Sequence, residues 1–178
     1  MLNYKKHQIM TKIRFQLLIC FLIFSTSQVI AQGKITKKEL KPFIGNWKGS
    51  LTYIDYSSGK PYTMPANLEI KKGLNANELL ISNIYPNEPK ANSVDTLIIS
   101  PKENSFDGAA VKSITRLSDG STQIITESND TDGNDKKPAL IRHTYTISKT
   151  NYSNRKEVQF FGETKWMKRH EYSYLKNM

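Results

Sequence analysis

Through much of the chain apolar residues fall on every second position, the spacing of a strand with one buried and one wetted face. Ala66, Leu68 and Ile70 alternate with Asn67, Glu69 and Lys71, and later segments keep the same two-residue beat. Turn residues divide them. Strands are predicted over 47–56, around 66–70, and over 78–85, 94–100, 109–117, 122–128, 139–148, 156–161 and 166–175. Asp107-Gly108 and Asp119-Gly120 read as hairpin turns, because Asp and Gly accept the left-handed backbone that tight turns demand. Only 37–44 (KKELKPFI) suggests a helix, and Pro42 restricts it to a turn or two. Short strands without a repeat or a linker imply one all-β antiparallel domain, as a sandwich or as a barrel of roughly 8–10 strands. The barrel is preferred. Closure removes exposed edges, and no Cys-Trp-Cys framework marks an immunoglobulin sandwich.

Residues 1–32 break this pattern. Lys5, Lys6, Lys12 and Arg14 come first, then the apolar run Phe15 to Phe24 (FQLLICFLIF), then small and polar residues ending in Ala31-Gln32. That is the order of an export signal, and the apolar run is too short to span a bilayer. Cleavage after Ala31 or Gln32 is expected, with Val29 and Ala31 meeting the small-x-small rule, and Met10 is an alternative start. A lipid anchor on Cys20 is disfavoured, since Ile19 before it is not small. The expected organisation is a cleaved signal peptide over 1–32 and one barrel domain over 33–178, located in the periplasm or outside the cell. The bias toward Asn, Lys and Ile suits a bacterial chain.

Charge looks different once that segment is set aside. The 178 residues hold 26 Lys+Arg and 16 Asp+Glu, a net charge of +10. The leader holds four of the bases, no acid and the only cysteine, so residues 33–178 carry +6 and no thiol. Disulfides, thiol nucleophiles and thiolate metal sites are thereby excluded from the domain. Its lysines are scattered without an arginine and aromatic platform, which reads as solvated surface rather than a nucleic-acid interface. No later segment is apolar enough for a membrane-crossing helix.

Alternation also sorts the chemistry-bearing side chains by face. Ile141, His143, Tyr145 and Ile147 share one face of their strand, while Trp166, Lys168, His170, Tyr172 and Tyr174 share one face of the last, opposite Arg169 and Glu171. The more aromatic face should point inward. Both histidines of the domain then face the interior. With Trp47 and Tyr53 from the first strand, the candidate ligand-lining set is Trp47, Tyr53, His143, Tyr145, Trp166, His170 and Tyr172. Histidines on an apolar face are most often hydrogen-bonded core residues, and two without a nearby carboxylate pattern make no metal site. No nucleophile elbow is present, so no catalytic residue is assigned and a reaction is not the expectation. The stretch 130–135 (DTDGND) opens like a calcium loop but lacks the later Gly and Glu ligand positions, and reads as an acidic hairpin turn.

The segment 40–56 (LKPFIGNWKGSLTYIDY) resembles the opening of the calycin proteins, the lipocalins and fatty-acid-binding proteins, in which a short helical turn leads into Gly-x-Trp. Here those residues are Gly45, Asn46 and Trp47. In that group a basic residue from the last strand packs over the Trp, and the resemblance gives this role to Arg169, with Gly45 and Trp47 as structural residues. Gly45, Trp47 and Gly49 are also similar to the Gly-x-Trp-x-Gly opening of small haem-binding barrels of the nitrobindin type. The Tyr-Pro that follows in those proteins is missing, so no cofactor is expected. The resemblance implies an exported barrel whose interior binds a small apolar or amphipathic molecule. A structural or interaction barrel with a filled core, and a haem-binding barrel, stay open as alternatives.

Overall fold

Ten antiparallel strands close into a barrel in the computed structural model, which describes residues 33–55 and 58–177. The expected signal segment 1–32 lies outside the described residues. In chain order the strands are β1 (Gly45–Ile54), β2 (Pro61–Lys72), β3 (Glu78–Ile84), β4 (Ser93–Ser100), β5 (Ser105–Phe106) and β6 (Ala109–Arg116). They continue as β7 (Thr122–Asp132), β8 (Lys137–Ile147), β9 (Asn151–Phe160) and β10 (Met167–Lys176). Each strand pairs with its successor, and β10 closes on β1. Pro42 lies in the first turn of a 3-10 helix, Lys41–Phe43, that leads into β1.

The departures from the sequence reading have physical causes. β5 has two residues, too few for alternation to show. β9 begins at Asn151 rather than at Lys156 because Asn154 and Lys156 follow Tyr152 on its inner face and interrupt the apolar beat. β7 continues to Asp132, so the acidic stretch is divided between a strand end and a turn where Gly133 has φ +79°.

One end of the barrel, where β1 begins and β10 ends, is packed solid. Ile35, Leu40 and Phe43 enter it from the N-terminal segment and meet Trp47, Phe106 and Tyr152 in one apolar cluster. Trp47 is 1% exposed, and its Nε1 donates to the Phe43 carbonyl at 2.7 Å. Lys176 stands opposite Trp47 across the β1–β10 ladder, with Nζ 4.9 Å from the ring centre and 2.8 Å from the Ile44 carbonyl oxygen that accepts from it. The cation over the tryptophan is therefore Lys176. Arg169, to which the resemblance gave that place, lies toward the far end of β10, because antiparallel pairing sets the start of β1 beside the end of β10.

Both glycines of the opening motif are there for space. A Cβ at Gly49 would collide with the Ser173 carbonyl oxygen and the Tyr174 ring, and one at Gly45, where φ is +140°, would strike the Lys176 side chain. Glycine lets β10 press against β1 and deliver Lys176 and Tyr174.

A bulge settles the other end of β10. Its register against β9 shifts between Lys168 and His170, which makes Arg169 the extra residue. An inserted residue reverses the alternation beyond it. His170, Tyr172 and Tyr174 face inward as expected, whereas Trp166 turns out of the interior and lies under the Arg142 guanidinium, 3.8 Å from the ring centre. Trp166 is thus removed from the interior set.

Candidate functional site

Above the packed floor the inward side chains of β8, β9 and β10 form rows across the ladders. Tyr145, Asn154 and Tyr172 make one row and His143, Lys156 and His170 the row above it; Ile147, Tyr152 and Tyr174 lie against the floor. Beyond the histidine row, toward the mouth, Ala139, Ile141 and Val158 form a second buried apolar cluster with Phe160 packed against it. The two lower rows face Leu68, Ile81, Asn83, Asp95 and Leu97 from β2, β3 and β4, and Asp107 from the β5–β6 turn. Between them lies a cavity of about 350 Å³.

Its wall is aromatic and hydroxyl-bearing. Tyr172 stacks on Tyr174 at 5.8 Å, and Tyr174 stacks on Tyr152 at 5.5 Å. The hydroxyls of Tyr85 and Tyr172 are 2.9 Å apart. Asn83 Nδ2 and Ser93 Oγ both donate to Asp95 Oδ2, at 2.7 and 2.8 Å. Burial pushes the phenols of Tyr145, Tyr152, Tyr172 and Tyr174 above their ordinary value, so all four are neutral hydroxyls at neutral pH. Asp107 occupies a left-handed turn position, φ +53°, which Asp tolerates better than most residues. Partial burial raises its carboxyl above the usual range, against the opposing influence of His143.

The histidines stand just outside this space. His143 lies flat on Tyr145 at 5.7 Å, and its Nδ1 is 3.0 Å from Asn154 Oδ1, which accepts a hydrogen bond from the neutral ring. His170 meets Tyr172 edge-on at 5.4 Å. Burial lowers the pKa of both rings, and His143 and Lys156 lower His170 further, to about 4. Toward the mouth, Asp132 accepts from Lys156 Nζ at 2.8 Å and from Arg169 Nε at 2.6 Å.

Acid should weaken the barrel through these rings. An ordinary histidine takes up a proton near pH 6.5, whereas folded His170 refuses it until about pH 4, so between those values the unfolded chain binds more protons. Stability is then full above pH 6.5 and falls as pH drops toward 4, by on the order of 3 kcal/mol for His170. Urea midpoints measured across that range should show the fall, and His170→Gln should flatten it. An unchanged slope in that variant would refute the burial account.

Of the seven side chains proposed to line the interior, Tyr145 and Tyr172 border the cavity. His143 reaches it through Asn154, and His170 through the edge of Tyr172. Trp47 belongs to the floor and Trp166 to the outer face. Tyr53, opposite His170 in register, meets the Tyr62 ring at a tilt, with centres 5.5 Å apart, toward the mouth. Asp95, Asp107, Asn154 and Tyr152 were not foreseen. A strand started at Asn151 would have placed Tyr152 and Asn154 in phase with the other inward residues.

The donor set does not suit haem. Neither histidine borders the cavity, and both rise from the same stretch of wall with ring centres 6.3 Å apart, so no imidazole is presented to a flat cofactor seated there. Among the described residues no cluster of three His, Cys, Asp or Glu side chains is arranged to hold a metal ion. No protein-family model and no curated protein matches the chain. Among solved structures it is similar to Rv2717c from M. tuberculosis, at 12% identity over 79% of this chain and 96% of that one, TM-score 0.46. It is also similar to a protein with unknown function of the DUF3598 family from Nostoc punctiforme, at 13% identity over 86% of this chain and 53% of that one, TM-score 0.38.

Proposed function

We propose that this is an exported, calycin-like barrel that holds a small amphipathic molecule in its upper interior. The observation that carries the reading is the cavity of about 350 Å³ left between tyrosine faces and β2–β4 above the buried apolar cluster of the floor. That volume lies within the range of small-molecule sites, and the mixture of ring faces with a few fixed hydroxyl, amide and carboxylate groups is what such sites share. Export rests on the basic, apolar, small-residue order of 1–32.

Native mass spectrometry of the full chain, expressed in a bacterium and released gently from the periplasm, tests both parts. The expected protein mass lacks the leader, with cleavage after Ala31 or Gln32, and carries an added small-molecule mass. Ile81→Trp, which fills the cavity from β3, should remove that added mass while leaving cooperative unfolding in place. An uncleaved protein would sink the export reading. A ligand-free protein whose melting temperature no lipid or aromatic probe raises would sink the binding reading.

A further inference from the structure

The charge of the wall goes further than its shape. Residues 33–178 carry a net +6, yet among the described residues no lysine or arginine borders the cavity, and its carboxylates are Asp95 and Asp107. The nearest bases on the inner face, Lys156 and Arg169, are held by Asp132 toward the mouth. His143 is kept neutral by burial and spends its Nδ1 proton on Asn154. Asp95 is occupied by Asn83 and Ser93. Asp107 differs, because its carboxylate makes no hydrogen bond and no ion pair among the described residues. Asp107 is exposed at the rim of the cavity, so its carboxylate sets a negative, uncompensated field beside the aromatic wall. Tyrosine faces add to the same preference, since their electron-rich centres attract cations.

We infer that the molecule bound in this cavity is a cation, an ammonium group on a small aromatic or aliphatic body, with its charge against Asp107 and its body on the tyrosine rings. Anionic amphiphiles such as fatty acids are disfavoured by the same wall, which offers no guanidinium or ammonium to meet a carboxylate. The inference rests on reading the cavity as a binding site and adds the charge of what occupies it.

Three probes of nearly equal shape separate the possibilities. At neutral pH 2-phenylethylamine is a cation, 2-phenylethanol is neutral and 3-phenylpropionate is an anion. Titration calorimetry of the full-length protein should show the ammonium binding roughly tenfold or more tighter than the alcohol, and the anion weakest. Asp107→Asn keeps a residue that tolerates the left-handed turn, so the hairpin should persist. In that variant the ammonium should fall to about the affinity of the alcohol, whose own binding stays unchanged. Asp95→Asn, at a carboxylate already engaged, should move the preference less. Equal binding of all three probes, or a preference that survives Asp107→Asn, overturns the charge inference and leaves the cavity reading standing. Binding of none overturns both.

Discussion

Trp47→Ala is expected to cost about 4 kcal/mol of folding stability, as other large aromatic truncations in packed cores do. The indole is buried beneath the N-terminal segment and meets Tyr152 edge-on at 5.8 Å. Removing it opens a void in the floor, leaves Lys176 without its ring and strips the Phe43 carbonyl of its buried donor. Trp47→Phe separates these effects. It keeps most of the apolar volume and loses the Nε1 donor, for an expected cost of about 2 kcal/mol. Urea unfolding with an unchanged m-value is the measurement, since only the midpoint should move. A loss under about 1 kcal/mol for the alanine variant would mean that the floor is not the packed plug described here.

Asp132→Ala should be about as damaging for a different reason. The carboxylate is 3% exposed and serves Lys156 and Arg169 together. Its own burial works against ionisation, yet those two cations outweigh it and hold the carboxyl below its usual range. Taking the anion away removes the carboxylate shared by two largely buried cations, a loss that typically costs about 3–5 kcal/mol. The cost should belong to the uncompensated positive charge rather than to lost attraction. A triple variant with Asp132→Leu, Lys156→Met and Arg169→Met should therefore recover most of it. If the triple variant is as unstable as the single one, packing around Asp132 is what matters.

The closed barrel was legible because its determinants are local. Ala66, Leu68 and Ile70 turn inward on β2 as their spacing requires, and Asp107-Gly108 forms the two-residue link that its composition suggested. Register was not legible. The bulge at Arg169 is a backbone event with no hydrophobic signature, and it moved Trp166 outward while handing Arg169 to Asp132. Lys176 took the place over Trp47 because strand pairing, and not likeness of residue type, decides which side chain arrives there. In the cavity, the aromatic members Tyr145 and Tyr172 followed from alternation. The carboxylates did not, because an inward polar residue in a sequence looks like an interruption of the pattern rather than part of a wall.

The two-residue β5 has a kinetic consequence. It joins β4 to β6 through Ile99 and Ser100 on one side and Ala109 and Ala110 on the other. Toward the mouth, β4 from Ser93 to Leu97 is laddered to β3 alone among the described residues; Asp95 lies within that stretch, and Asp107 borders the same cavity. On the binding reading proposed above, a molecule leaving sideways there would part side chains without breaking a strand ladder. Its residence time would then be set by local side-chain motion, and a barrel that unfolds slowly would still exchange a bound molecule quickly.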